Sequence, residues 1–340
     1  MSQINVNIVA PVGFTGTLPG DNNFVQIVDA TGDTVLKIPS GDNVSVGKDA
    51  LNSNTTGTKN IAIGTSSLSL NTTASNNIAI GHQAMQNSTG NKIQSVAIGS
   101  QALQSGATGS VAIGNAAGAS STQSIVAVGL NALSNSTGYG NTALGSSAGF
   151  NLTTGSNNTF MGFAAAAGNT IIGSQNTCLG ASTGGFIDTG DNNTCIGYGA
   201  QVSGSGASDE FILGDANVAI LSCAQTSITS LSDGRDKKEI EELPVGLSFV
   251  QKLKPVKFVW DDRNEEGKHD VSDFGFIAQD LKETQEEEGV ADYLKLVYEA
   301  NPEKLQASYG KLIPILVKAI QEMSKEMKLL KEEILTLKTK

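Results

Sequence analysis

The sequence predicts a mostly β fold, a repetitive parallel β-roll or β-solenoid, followed by a small α+β domain that ends in a coiled-coil helix. Three observations carry that expectation: a glycine-closed phrase recurring about every seventeen residues, an abrupt change of charge near residue 231, and a heptad pattern towards residue 340.

The repeat is the strongest of the three. The phrase N-x-A-I-G and its relatives appear as NVSVG (43–47), NIAIG (60–64 and 77–81), SVAIG (95–99 and 110–114), VAVG (126–129), NTALG (141–145), NTFMG (158–162), NTCLG (176–180), NTCIG (193–197) and FILG (211–214). Their closing glycines are separated by 17, 17, 18, 15, 15, 16, 17, 18, 17 and 17 residues, and one additional NTIIG at 169–173 falls out of step. Each unit reads as one rung of a coil. The alternating apolar triplet forms a short strand with one face inward, and glycine turns the corner. The following x-x-A-L piece, as in HQAM and SQAL, is expected to be a second short strand. A single rung cannot bury its apolar face, so neighbours must stack about 4.8 Å apart. Asn60, Asn77, Asn141, Asn158, Asn176 and Asn193 share one register and are placed to form an asparagine ladder. Cys178 and Cys195 also share a register in consecutive rungs and are expected to face the interior as unpaired thiols.

Charge divides the chain. Of its 33 acids and 22 bases, residues 1–231 hold 10 and 4, residues 232–340 hold 23 and 18, and none lies between Lys92 and Asp188. A stretch that long without charge implies a regular, backbone-paired structure with small polar side chains. The net charge of −11, with no basic stripe, argues against nucleic-acid binding. No apolar run approaches the roughly 18 residues of a membrane span, and MSQINVNIVAP lacks a signal-peptide pattern, so a soluble, cytosol-made chain without a membrane partner is expected. Three cysteines without C-x-x-C spacing indicate neither a disulfide framework nor a zinc site; no metal or cofactor is expected.

Four regions follow. Residues 1–42, with FVQIVDA and TVLKIP joined by A-T-G-D, read as a hairpin-like cap or attachment module. Residues 43–215 are the shaft and 216–231 a connector. The shaft resembles the head repeat of trimeric autotransporter adhesins, which implies a left-handed parallel β-roll that trimerises side by side; the longer rungs here imply larger loops.

Residues 232–340 have a globular texture. KPVKFVW (254–260) reads as a strand, DDRNEEGKHD (261–270) as a charged hairpin tip holding His269, and DFGFIAQDL (273–281) as a strand running into a helix. From Tyr309 onward the pattern is helical, with Leu316, Ile320, Met323, Met327, Leu330, Ile334 and Leu337 at alternating spacings of four and three. That narrow seam, flanked by Lys and Glu, reads as an oligomerising coiled coil.

The boundary itself carries S-D-G-R-D-K at 232–237. Together with L-x-P-V-x-F-x-W (253–260), G-F-I-A-Q-D-L (275–281) and S-Y-G-K-L-I-P-I-L-V-K-A-I-Q-E-M (308–323), it resembles the self-cleaving intramolecular chaperone domain that ends phage tailspikes and tail fibres and also occurs in myelin regulatory factor. The resemblance implies cleavage between Leu231 and Ser232, with the Ser232 Oγ attacking the preceding carbonyl. A serine needs a base, and the family uses the residue four or five positions later. Asp236 and Lys237 are both present, so the base is open at this stage. A lysine base requires a lowered pKa and an aspartate requires desolvation. Asp233, Arg235 and Gln279 are supporting candidates, Arg235 as a holder of a carboxylate or of the developing oxyanion.

These features imply a homotrimeric tail fibre or virion appendage, assembled in the host cytoplasm. Its expected partners are other tail proteins and a host-surface receptor, glycan or protein. A trimeric surface adhesin and a tailspike glycan depolymerase are the alternatives. The latter requires paired carboxylates; Asp188, Asp191, Asp209 and Glu210 cluster but are expected to close loops.

Overall fold

The computed structural model describes residues 42–339 except 90–93, 216, 219, 223–230, 262–268, 300 and 304, together with the backbone of three earlier strands. The chain divides into two compact units, Met1–Asp215 and Ala216–Lys340.

The first unit holds a 14-stranded sheet in strict sequence order. Strands β1 (Phe14–Thr15), β2 (Val25–Val28) and β3 (Thr34–Ile38) form an antiparallel meander. Strand β3 then pairs antiparallel with β4 (Val44–Val46), covering the edge that the first rung exposes. From β4 to β14 (Phe211–Leu213) every pairing is parallel and one rung long. The register never slips: Ala62 stands opposite Ala79, Ala97 opposite Ala112, Cys178 opposite Cys195. Ten rung-to-rung steps make a solenoid about 48 Å long.

Small size decides which residue faces in. The central alanine of six triplets is buried, at Ala62, Ala79, Ala97, Ala112, Ala127 and Ala143, while the flanking Val and Ile are more exposed. Opposite the alanines, Leu51, Leu68, Met85, Leu103 and Leu133 fill the interior. Where a strand contributes a large residue, its bulk reaches over the rung before it: a Cβ on Gly149, in the turn limb of the Ala143 rung, would lie 2.7 Å from the Phe160 ring. Large residues thus interlock with small ones within a rung or across neighbouring rungs.

The limb after the glycine is not the second strand that its sequence suggests. It is a chain of turns in which every second residue is left-handed, including Ser66 (φ 58°), Leu68 (φ 49°), Gln83 (φ 57°) and Met85 (φ 49°). That alternation aims alternate amides at the next rung: Leu68 N–H donates to Ala84 O at 3.0 Å and Leu70 N–H to Gln86 O at 3.1 Å. The amides between them close turns within the rung, such as Ser67 N–H to Gly64 O. Inter-rung bonding and burial of the leucine override the intrinsic preference against this backbone. The corner glycines are sterically required, since a Cβ on Gly64 (φ 124°) would meet Gly81 O at 2.5 Å.

The asparagine ladder is present and longer than its sequence phrase. Asn60 N–H donates to Asn43 Oδ1 (2.8 Å), Asn77 N–H to Asn60 Oδ1 (3.1 Å), and Asn176 N–H to Asn158 Oδ1 (2.8 Å). Serines carry the middle rungs, with Ser110 N–H on Ser95 Oγ and Ile125 N–H on Ser110 Oγ. The additional NTIIG phrase makes no rung of its own. Its Ile171 is buried and bridges Leu152, forming another wall of the coil. Cys178 and Cys195 are buried free thiols, and the hydrogen bond to Cys195, with burial, pushes the Cys178 thiol far up.

In the second unit, β15 (Pro255–Asp261) and β16 (His269–Phe276) form an antiparallel hairpin. His269 opens β16 opposite Asp261 instead of lying in the loop; the charged tip at 262–268 lies outside the described residues. Short helices α1 (Leu247–Val250) and α3 (Ala291–Leu294), α2 (Ala278–Glu287) and the small pair β17 (Val297–Tyr298) and β18 (Gln306–Ala307) complete the body. A 3-10 turn at Tyr309–Lys311 leads into α4 (Leu312–Lys338). The core gathers Phe249, Leu294, Leu296, Leu312 and Ile315. Only the first turns of α4 enter that core; the seam from Leu316 to Leu337 is exposed. No helix among the described residues is long and apolar enough to cross a membrane.

Candidate active site

The segment at the charge boundary folds on itself. Asp233 caps a 3-10 turn at Gly234–Asp236, as short acidic side chains do well. Its Oδ1 accepts from the Arg235 main-chain N–H at 2.9 Å, and its carboxylate receives the Arg235 guanidinium at 3.1 and 2.5 Å. Arg235 therefore holds Asp233 below the usual carboxylate range, first through the side-chain hydrogen bond, and is itself raised by it.

This turn brings residue 237 back over residue 232. Lys237 N–H donates to Gly234 O at 3.3 Å, and Lys237 Nζ lies 2.6 Å from Ser232 Oγ and 3.4 Å from the Ser232 carbonyl. Leu231, on the other side of the bond in question, is fully exposed. Asp236 lies in the turn, and its carboxylate has no partner among the described residues. Gln279 stands exposed in the first turn of α2, with no hydrogen bond to residues 232–237 among those described.

The arrangement can do serine chemistry of a lysine-assisted kind. A neutral amine at 2.6 Å is within reach of the hydroxyl proton. A lysine serves as a base only when desolvated or set beside another cation. The whole turn is exposed in the single chain, so covering it is the remaining requirement.

Two residues with no sequence signal beyond their helical spacing tie the following chain down. On α4, Glu322 accepts from Leu247 N–H at 2.6 Å, and Lys318 pairs with Glu242. The acids late in the solenoid are engaged: Asp191 accepts from Ser174 N–H, Asp209 from Asn192 Nδ2, and Glu210 from Ser203 N–H. Among the described residues no cluster of His, Cys, Asp and Glu is arranged to hold a metal.

Neither a curated protein nor a solved structure matches the chain. Residues 232–290 match the family model for the chaperone of endosialidase, a family of autoproteolytic serine peptidases. The match begins at Ser232 and supports a C-terminal chaperone domain behind a parallel β-solenoid.

Proposed function

We propose that this protein is a homotrimeric phage tail fibre or virion appendage whose C-terminal unit aligns three chains and is then cut away between Leu231 and Ser232. A chaperone-of-endosialidase segment behind a β-solenoid fits a tail fibre or tailspike-like protein. The observation that carries the cleavage reading is the 2.6 Å contact of Lys237 Nζ with Ser232 Oγ, at the first residue of the family match.

In the proposed reaction Lys237, as the neutral amine, removes the Ser232 hydroxyl proton. The Oγ then attacks the Leu231 carbonyl carbon. The Leu231–Ser232 C–N bond breaks, the proton passes to the freed Ser232 amine, and an ester joins Leu231 to Oγ. Water hydrolyses that ester and leaves two chains. The geometry favours Lys237 over Asp236 as the base, because of the two it is Lys237 that reaches the hydroxyl.

Trimer formation is supported by two uncovered apolar surfaces. One is the α4 seam, including Met323, Met327 and Leu330. The other is the outer strand face of the solenoid, where Ile63, Ile98, Ile113 and Leu144 are exposed along one column and Val126 in the column beside it. No charge between residues 93 and 187 keeps copies apart. A solenoid is slow to find register, and a domain that associates first raises the effective concentration of the three shafts. Its removal then makes unfolding hard to reverse and the fibre kinetically stable. The fibre is assembled in the host cytoplasm, joins other tail proteins and contacts a host-surface receptor.

Mass measurement of purified wild-type protein beside Ser232→Ala tests the proposal. The wild type should give fragments 1–231 and 232–340, and the variant one intact chain. A wild-type protein that sediments as a trimer and stays intact overturns the cleavage reading.

A further inference from the structure

Five residues follow the corner glycines of consecutive rungs: Leu130, Ser146, Phe163, Ala181 and Tyr198. They form one column. Ser147 N–H donates to Leu130 O at 2.8 Å, Ala164 N–H to Ser146 O at 2.9 Å, Ser182 N–H to Phe163 O at 2.9 Å and Gly199 N–H to Ala181 O at 3.1 Å. Large apolar side chains therefore alternate with small ones. Leu130, Phe163 and Tyr198 are 50%, 65% and 71% exposed. With rungs about 4.8 Å apart, the large groups recur about every 10 Å over about 19 Å.

The same column is polar in the earlier rungs, where it carries Lys48, Thr65, His82, Ser100 and Asn115. The outer columns of the strand face behave differently; one of them stays apolar from Val46 and Ile63 to Ile196 and Leu213. A contact between copies running the length of the shaft fits the strand face, whereas the alternating column marks a local site.

We infer that the column Leu130–Phe163–Tyr198 is a binding track for an extended, neutral, β-linked glycan lying along the solenoid axis. This deepens the proposed host-surface role and rests on it. In an extended β-1,4-linked chain the advance per hexose is close to the spacing between rungs, and successive sugars turn over. Every second sugar thus offers the same apolar C–H face, matching large platforms under alternate sugars and small residues under the others. Tyr198 adds the hydroxyl on its ring as a polar handle. Charge selects against anionic chains: residues 93–187 hold no base, and Asp188, Asp191 and Asp209 belong to the rungs around Tyr198.

The test is calorimetric titration of the full-length protein with cellohexaose, chitohexaose, maltohexaose and oligosialic acid. One or both of the extended β-linked probes should bind, and which one separates a plain glucan from an N-acetylated wall glycan. The coiled α-linked and anionic probes should not bind. A hexasaccharide should bind more tightly than the disaccharide, which cannot span the three platforms. Phe163→Ala and Tyr198→Ala should each weaken binding about tenfold with sedimentation unchanged. Equal binding of maltohexaose, silence towards both β-linked probes, or loss of the trimer in Phe163→Ala overturns the inference. A self-cutting trimer that ignores these sugars leaves the proposed function standing without the track. An uncut monomer that binds them keeps the track and removes the proposed function.

Discussion

Asn193 sits directly on Asn176 in the solenoid wall: its main-chain N–H and its side-chain Nδ2 both donate to Asn176 Oδ1, each at 3.0 Å. Asn176 Nδ2 in turn donates to Gly190 O at 2.9 Å. Replacing Asn176 by alanine strands the buried Asn193 main-chain N–H and the Gly190 carbonyl, and leaves Asn193 Nδ2 with its bond to Ala207 O alone. The expected loss is about 2 kcal/mol or more, at about 1–3 kcal/mol for a buried unsatisfied group. Thr177→Ala, on the half-buried outer side of the same rung, should stay within about 0.5 kcal/mol. Thermal unfolding of both variants at one scan rate measures the contrast, and equal shifts would show that the ladder is not a stabilising element.

Lys237 and Asp236 make opposite predictions. Lys237→Met removes the one side chain among the described residues that reaches Ser232 Oγ and should leave the chain uncut, while Asp236→Asn should cut at near the wild-type rate. Time-resolved gel analysis of both variants decides. The reverse pattern would make the aspartate the base.

Assembly and cutting should be coupled. Leu330 and Ile334 lie on the exposed seam of α4. Aspartates there would place charges at the centre of a coiled coil, at a cost of several kcal/mol for each unpaired buried ion. The double variant Leu330→Asp/Ile334→Asp should remain monomeric by sedimentation and uncut by mass. Efficient cleavage in a monomer would show that one chain completes its own site.

Acid should release the turn around the serine. Arg235 depresses Asp233 and Lys318 depresses Glu242, in both cases mainly through a side-chain hydrogen bond. A depressed carboxylate contributes stability that is fully present above the unfolded value, about 4, and is lost as pH falls through the lower folded value. Both tethers should therefore be intact at neutral pH and weaken as pH falls below the ordinary carboxylate value of about 4. Carboxyl carbon NMR should place both midpoints below those of the unfolded peptide; midpoints at the peptide value would show that the pairs do not persist in solution.

The rung period, the strand triplets and the glycine corners are legible in the sequence because each has one physical cause acting locally. Alternation gives the strand, and the next rung's carbonyl forbids a Cβ at the corner. The second limb is not legible. Its left-handed positions are occupied by Leu68, Met85, Leu103 and Leu133, whose side chains carry no turn signal; only the interior volume beneath them explains the backbone. Likewise Ile171 looks like a rung residue until Leu152 is placed against it. At the candidate site, the serine and both possible bases can be read directly. Which base reaches the hydroxyl cannot, since positions 236 and 237 differ by the direction a side chain leaves one turn. Gln279 belongs to a helix whose place no spacing reveals.

Because each rung bonds only to the rungs before and after it, length becomes a quantity that heredity adjusts in whole steps. Gain or loss of one unit of about seventeen residues alters the reach of the shaft by about 5 Å. It leaves the capping meander, the late acidic loops and residues 232–340 chemically untouched. Unequal exchange between near-identical phrases such as the two NIAIG units would make such steps in a single event. A lineage of these proteins can thus tune how far its tip stands from its base without redesigning either end.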